Sequence, residues 1–286
     1  MQFKKTIVIS SGALFLSCML VCVTFWYDAS SRELTVTFFD VGQGDSIFIQ
    51  TPSRHTVLID GGPDAGVLAK VGRRMPFYDR TIDLVILTHV HADHIAGLVP
   101  IIERYDVGTV LFSNIDYTSP EYRAWLETID EKEIEAVSPR ARLQYQFGEV
   151  DLEILYPFDE ISGPFGGDIN DTSVVARMQY GSTSFLFTGD ASASVEGELL
   201  LQYGSAALES DVLKVGHHGS KYSSSLEFLE VVGPRYAVVQ VGEGNSFSHP
   251  HRMVMKRLEG LGISVYRTDE LGDITLCSDG SALSIE

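Results

Sequence analysis

Cysteine is almost missing from this chain: three occur in 286 residues, at Cys18, Cys22 and Cys277. The first two fall in an apolar leader, so the rest of the chain keeps Cys277 alone. One thiol cannot bridge, which excludes a disulfide-stapled scaffold and leaves Cys277 as a small apolar filler in a strand. Positive charge is scarce too, 21 Lys+Arg against 39 Asp+Glu, for a net charge of −18. Lys4 and Lys5 are the only charged residues before Asp28, so from there on 19 basic residues face 39 acidic ones, a balance of −20. Such a surface repels phosphate backbones unless local cations or metal ions override it, which argues against broad electrostatic capture of nucleic acid. No repeat period and no low-complexity tract occurs, so solenoids and disordered arrays are excluded. What is present, 44% hydrophobic and 21% charged residues, suits a packed globular core. Histidine is rare, eight in all, and none lies between His94 and His217.

Long hydrophobic runs are limited to one. Lys4 and Lys5 precede Ile7–Tyr27, about 20 residues without a charge, enough to cross a hydrocarbon core as a helix. Positive charge before the run and Asp28 after it place the N-terminus inside and the following domain outside the cytoplasm. Thr24-Phe25-Trp26-Tyr27 is a poor cleavage site and suits an interfacial aromatic belt, so residues 1–27 read as a transmembrane anchor. Two alternatives stand beside it: a lipoprotein modified at Cys18, within the imperfect lipobox Phe15-Leu16-Ser17-Cys18, and secretion after cleavage of a signal segment. All three put the domain outside. Residues 28–33 read as a polar linker and 34–286 as one domain of ordinary size.

After the linker come strands broken by Gly, Pro or Asp: Leu34–Phe39, Ser46–Gln50 and Thr56–Asp60, with tight turns at Gly42, Gly44, Gly61 and Gly62. The pattern predicts a short helix over Val67–Arg74, a buried strand over Ile82–Thr88 and a helix over Ile95–Tyr105. A strand over Thr109–Phe112 follows, then a helix over Pro120–Glu135 with Trp125 on its apolar side. Strands return at Val150–Tyr156, Ser173–Tyr180 and Ser184–Thr188, the last two joined by a Gly181-Ser182 hairpin. Then come a helix around Ser194–Tyr203, a strand at Asp211–Val215, a helix near Ser224–Val231, a strand at Tyr236–Val241 and a helix at Met253–Gly260. A meander followed by strand–helix alternation, repeated, suits an α/β fold of two face-to-face sheets with helices on both outer sides. Pattern alone does not separate this from a doubly wound sheet.

The residues with chemistry do. Thr88-His89-Val90-His91-Ala92-Asp93-His94 sits where a buried strand gives way to a helix. Two apart in an extended segment, His89 and His91 point the same way and can share one metal ion. Asp93 and His94, in the turn into the helix, can face a second ion, and imidazole with carboxylate suits Zn²⁺ or Mn²⁺. A metal pair needs a bridging anion and a further donor. Phe185-Leu186-Phe187-Thr188-Gly189-Asp190 delivers Asp190 at a strand end, and Leu213-Lys214-Val215-Gly216-His217-His218 delivers paired histidines at another. Strand ends that bring His and Asp together mark a convergent site. His249, in Ser248-His249-Pro250-His251, follows a strand and is a candidate proton donor. His251 reads as a helix-start surface residue, and His55 as part of a polar turn.

His89-x-His91-x-Asp93-His94, with Asp60-Gly61-Gly62 upstream, resembles the metallo-β-lactamase superfamily. Phe39-Asp40-Val41-Gly42-Gln43-Gly44-Asp45, Asn170-Asp171-Thr172-Ser173, His217-His218-Gly219-Ser220, Asn245 through His249-Pro250, Thr268-Asp269 and Gly272 narrow the likeness. Together they resemble the C-terminal hydrolase domain of ComEC/Rec2 DNA-uptake proteins, from about Leu34 to Glu286. The resemblance implies a four-layer αββα sandwich. It implies His89, His91 and Asp190 on one metal, and Asp93, His94, Asp190 and one of the paired histidines on a second. His218 is the favoured ligand, with His217 near the scissile group to stabilise developing charge; the reverse stays open. Asp93, His217 and His249 are thus the candidate catalytic residues. Asp60 would be a buried residue orienting a ligand histidine, its alternative a plain turn aspartate. Asn170 appears in the region where many superfamily members place another histidine ligand, which argues against lactam hydrolysis.

The resulting expectation is a binuclear hydrolase whose two divalent ions, Zn²⁺ or Mn²⁺, activate water and polarise the substrate oxygen. The resemblance points to phosphodiester bonds, with single-stranded DNA a candidate, outside the cytoplasm. Capture would fall to the metals and to a few cations near the motif loops, such as Lys214, Lys221, Arg252 and Lys256. DNA-uptake proteins carry a polytopic channel whereas this sequence holds one apolar run, so a separate membrane channel is an expected partner beside the membrane itself. Two readings compete: a cell-envelope or small-molecule phosphoesterase of the same fold, which suits the −20 balance better, and a non-catalytic metal-binding partner module.

Overall fold

A computed structural model describes residues 17–19 and 33–286. Apart from 17–19, the Ile7–Tyr27 run lies outside the described residues, among which no helix is long and apolar enough to cross a membrane. Leu34–Glu286 forms one compact unit.

Its first sheet has eight strands, in the order Leu283–Ile285, Ile274–Ser278, Leu34–Phe38, Ile47–Gln50, Thr56–Ile59, Thr81–Ile86, Asp106–Leu111 and Glu135–Val137. The second has seven: Ser264–Arg267, Tyr236–Val239, Val212–Lys214, Thr183–Phe187, Val175–Tyr180, Val150–Tyr156 and Gln144–Phe147. Three apolar clusters show how the layers stack. One joins Val36, Ile49 and Ile86 of the first sheet to Ile154, Phe187 and Val212 of the second. On the other face of the first sheet, Phe48, Leu58 and Val85 pack against helices Gly66–Arg74, Leu98–Arg104 and Pro120–Glu131, with Trp125 fully buried. The third cluster packs Leu186, Leu213 and Val239 against helices Ala193–Tyr203, Leu226–Val232 and Arg252–Gly260. Strand alternation sends Phe187 to the inner core and Leu186 to the outer one. Each such buried side chain contributes about 1.5–3 kcal/mol, so apolar packing holds the domain without disulfides. The architecture is the αββα sandwich.

Most elements lie near their expected bounds, and the differences have physical causes. The helix expected over 95–105 is two helices, Ala92–Ile95 and Leu98–Arg104. Gly97 lies flat against the Gly61 turn, where a Cβ would sit 2.0 Å from the Gly61 oxygen, and its N–H donates to Gly62 O at 3.0 Å. The helix expected over 120–135 ends at Glu131, because the Ile134 N–H turns back to Ile129 O at 3.0 Å. Glu135–Val137 then joins the edge of the first sheet. Gln144–Phe147, not expected as a strand, pairs with Val150–Tyr156 across a turn at Gly148 (φ 68°).

In the first sheet Thr56–Ile59 runs parallel to Thr81–Ile86; in the second, Thr183–Phe187, Val212–Lys214 and Tyr236–Val239 run parallel. Parallel neighbours end on the same edge, so the loops that follow each set gather together.

Candidate metal centre

On the first-sheet side the anchor is Asp60, fully buried and in the left-handed region (φ 57°) directly after Thr56–Ile59. Its Oδ1 accepts the Thr88 N–H at 2.8 Å; its Oδ2 accepts Thr88 Oγ1 at 2.7 Å and His94 Nδ1 at 2.8 Å. With Nδ1 engaged, His94 turns Nε2 inward, buried and without a hydrogen-bond partner, 3.4 Å from Asp190 Oδ2 and 4.0 Å from Asp93 Oδ2. Thr88 Oγ1 also lies 3.1 Å from His89 Nδ1. That contact leaves His89 Nε2 facing His91 Nδ1 at 3.0 Å and Asp190 Oδ2 at 4.0 Å.

The second sheet supplies the other side. Asp190 follows Thr183–Phe187, its N–H donating to Ser173 Oγ at 3.1 Å. Imidazole nitrogens ring its Oδ2: His94 Nε2 and His218 Nε2 at 3.4 Å, His217 Nε2 at 3.8 Å and His89 Nε2 at 4.0 Å. His217 and His218 both adopt left-handed backbone, φ 48° and 53°, a strain of about 1–3 kcal/mol each, and both face the site. His218 Nδ1 donates to Gln240 O at 3.0 Å, and its Nε2, buried without a partner, lies 3.3 Å from Asp93 Oδ2. His217 is partly exposed and borders a cavity of about 300 Å³ shared with His91, Asp93, Asn170, Asp190 and His249. Asn170 is buried there with no partner for its Oδ1. His251 caps helix Arg252–Gly260, accepting the Met253 N–H at 3.2 Å, and His55 stays in its turn beside Ser53.

One pairing escaped the sequence reading. Asp45 and Lys214, each 1% exposed, form an ion pair inside the domain, and Lys214 Nζ also donates to Gly189 O at 2.8 Å. Lys214 is therefore no substrate-capture cation: it is an internal counter-charge to Asp45 and Asp190. A lysine within the apolar run Val212-Leu213-Lys214-Val215 was the available signal. Asp45 gets there because Gly44 passes so near the Asp93 carbonyl that a Cβ would meet its oxygen at 2.2 Å.

Burial opposes charge at every one of these groups, and at some of them charged neighbours outweigh it. His218 is pulled down by burial, but Asp190 and Asp45 carry it up to about 10. His94, also buried, is held well above its ordinary value by Asp190 and Asp60. Burial would raise Asp190 and Asp45, yet His218 and His94 hold Asp190 far down and Lys214 holds Asp45 down. Asp93 is lowered by His218 against its burial. His89 goes the other way, pushed well down by burial and by His94. Burial lowers His217, and burial with His217 beside it takes His249 to about 4.

Divalent cations fit this donor set. Two ligands of one ion at 2.0–2.2 Å lie roughly 3.0–3.5 Å apart. The His89–His91 spacing of 3.0 Å and the 3.4 Å spacings of His94 and His218 from Asp190 fall in that range. Buried polar atoms without partners are rare in folded proteins, yet His94 Nε2, His218 Nε2, Asp190 Oδ1 and Asn170 Oδ1 are of that kind and cluster here. His89, His94 and Asp190 form one group of ligand spacing, and Asp93, His94 and His218 another.

A family model described as metallo-beta-lactamase superfamily matches residues 39–243. The chain is 29% identical over 274 residues to ComE operon protein 3 of Bacillus subtilis (strain 168), covering 90% of this chain and 34% of that protein. To Competence protein ComA of Neisseria gonorrhoeae it is 33% identical over 241 residues, 84% of this chain and 32% of that protein. It spans about a third of the length of these curated relatives. Among solved structures, the metallo-beta-lactamase fold protein YhfI from Bacillus subtilis superposes with a TM-score of 0.58 at 15% identity. That match covers 87% of this chain and 100% of YhfI, and it shows a shared fold.

Proposed function

Because the chain belongs to the metallo-beta-lactamase superfamily, we propose that it is a binuclear metal-dependent phosphodiesterase acting on nucleic acid outside the cytoplasm, with single-stranded DNA the leading substrate. The observation that carries the reading is Asp190 Oδ2 ringed by the ring nitrogens of His89, His94, His217 and His218. The name of one relative, Competence protein ComA, supports the choice of nucleic acid. In this reading His89 and His91 would hold one ion, with the Asn170 oxygen as a further donor. Asp93, His94 and His218 would hold the other, and Asp190 would be shared by both. When bound, such a pair supplies a nucleophile from water near neutral pH and neutralises charge on the phosphoryl oxygens.

The protein's own part is orientation and charge. Asp60 and the Gln240 carbonyl engage Nδ1 of His94 and His218, so that Nε2 is the nitrogen each would present to an ion. Lys214 lets Asp45 and Asp190 stay ionised in the interior. His217 and His249, ring centroids 5.6 Å apart on the cavity wall, are kept neutral at pH 7 by burial. As neutral imidazoles they can donate N–H hydrogen bonds to charge developing on a leaving oxygen.

The balance of −20 favours one competitor, a phosphoesterase for small or cell-envelope esters. Purified full-length chain with Mn²⁺ or Zn²⁺ should cleave both single-stranded DNA and a small chromogenic phosphodiester. Cleavage of the small ester alone, at every salt and metal, selects the competitor; cleavage of neither, with metals bound, selects a non-catalytic module. The extracytoplasmic part of the proposal rests on Lys4, Lys5 and the Ile7–Tyr27 run. It expects a domain open to external protease yet retained with membranes; recovery in the cytosol refutes it, and release by Cys18→Ser alone selects the lipoprotein.

A further inference from the structure

On a chain with 39 acidic residues, one groove reverses the sign. Beside helix Arg252–Gly260 a groove of about 660 Å³ is lined by Arg252, Lys256 and Arg257 together with Leu226, Met253 and Leu261, and by no acidic side chain. Arg252 and Lys256 are exposed, one turn apart on the same helix, and form no ion pair among the described residues. Arg257 is fixed in place by donating to Ser224 O at 2.8 Å. The apolar floor is open, with Leu226 and Met253 each 41% exposed. The groove adjoins the metal centre through one short segment: His251 lines the groove, and His249, two residues earlier, lines the metal cavity. The His251 N–H donates to Gly219 O at 2.8 Å, which ties this segment to the His217-His218 turn. Phe247, 64% exposed, stacks on His249 with ring centroids 5.8 Å apart and lines the same metal cavity.

From this juxtaposition we infer that the groove and Phe247 form a track that leads a single-stranded polyphosphodiester to the metal centre; the inference deepens the proposed function and rests on it. Cations on one helix face take backbone phosphates, and an exposed ring takes the face of a base, the combination by which single strands are held without sequence preference. A duplex hides its base faces, so Phe247 favours unpaired strands. Capture is local, and the acidic remainder of the surface keeps other contacts weak. The conflict between acidic composition and nucleic-acid substrate thereby disappears.

The test compares the full-length chain with its Arg252→Glu/Lys256→Glu variant, each with Mn²⁺, on oligo(dT) and on a small chromogenic phosphodiester. The variant should raise KM for oligo(dT) about tenfold at unchanged kcat. Its log–log salt slope of kcat/KM should flatten by about 1.4, the loss of two phosphate contacts on a single strand. Small-ester kinetics and the melting temperature should match the parent. Phe247→Ala should raise KM for oligo(dT) more than for an abasic strand of equal length. Equal KM and salt slope for parent and double variant, with oligo(dT) cleaved, overturn the track and leave the proposed function standing. No cleavage of oligo(dT) by the parent, with the small ester cleaved, overturns both.

Discussion

The two sheets furnish the metal centre in different ways. The first delivers His89, His91, Asp93 and His94 from one strand-to-helix turn, braced by the hydrogen-bonded set Asp60, Thr88 and His94. The second delivers Asp190, Lys214 and His218 from successive parallel strands or the loops after them, and charge holds this side together: Lys214 sits between Asp45 and Asp190. One side is therefore preorganised by local hydrogen bonds, the other by a tertiary ion cluster. Asp190 belongs to both, being the carboxylate on which the ring nitrogens of each side converge.

Removing that shared residue should have the largest effect. Asp190→Ala should lower kcat/KM for phosphodiester hydrolysis by roughly 10³-fold or more at saturating Mn²⁺. A rate within tenfold of the parent would place the junction elsewhere. Lys214→Met strikes the ion cluster. It leaves Asp45 and Asp190 buried without their cation, so the metal-stripped chain should lose about 3–5 kcal/mol in urea unfolding. Added metal should restore more stability to this variant than it adds to the parent; an unchanged urea midpoint would show that the cluster does not hold that side. Asp60→Asn disturbs the first side alone, by weakening the brace on His94. Metal affinity should fall roughly 10–100-fold in a competition titration, and unaltered affinity would mean that Thr88 and packing suffice.

The smallest effect is on pH, and it has opposite signs at His218 and His89. In the metal-stripped chain His218 is raised from 6.5 to about 10. Its protonation therefore contributes stability that is complete below about pH 6.5 and lost as the pH rises towards 10. His89 is lowered from 6.5 by burial, so its contribution is present above that value and lost as the pH falls. Melting of the EDTA-treated chain should drop by a few degrees across pH 6.5–10. His218→Gln should reduce that slope without abolishing it, because His94 shifts in the same direction. A slope identical to the parent's would remove His218 from the charge cluster.

The same contrast explains what the sequence disclosed. The first side was legible because its donors are adjacent: His89, His91, Asp93 and His94 carry their geometry in their spacing, and Asp60 was marked by the glycines after it. Asp190 and His218 were legible as strand-end residues, while their convergence depends on strand order. Lys214 was misplaced on the surface because nothing local reveals a partner as distant as Asp45. The helix break at Gly97 was hidden for a like reason, since it depends on the approach of the Gly61 turn. Gln144–Phe147 escaped because its alternation of polar and partly buried residues is weak, and pairing with Val150–Tyr156 makes it a strand.

In the proposed centre His89 and His91 would hold one ion, Asp93, His94 and His218 a second, and Asp190 would be shared between them. Native mass spectrometry of the chain titrated with Mn²⁺ counts them directly. The parent should carry two ions, the His89→Ala and His218→Ala variants one, and Asp190→Ala none at a concentration that saturates the parent. Two ions held by Asp190→Ala, or saturation of the parent at one, would contradict this arrangement.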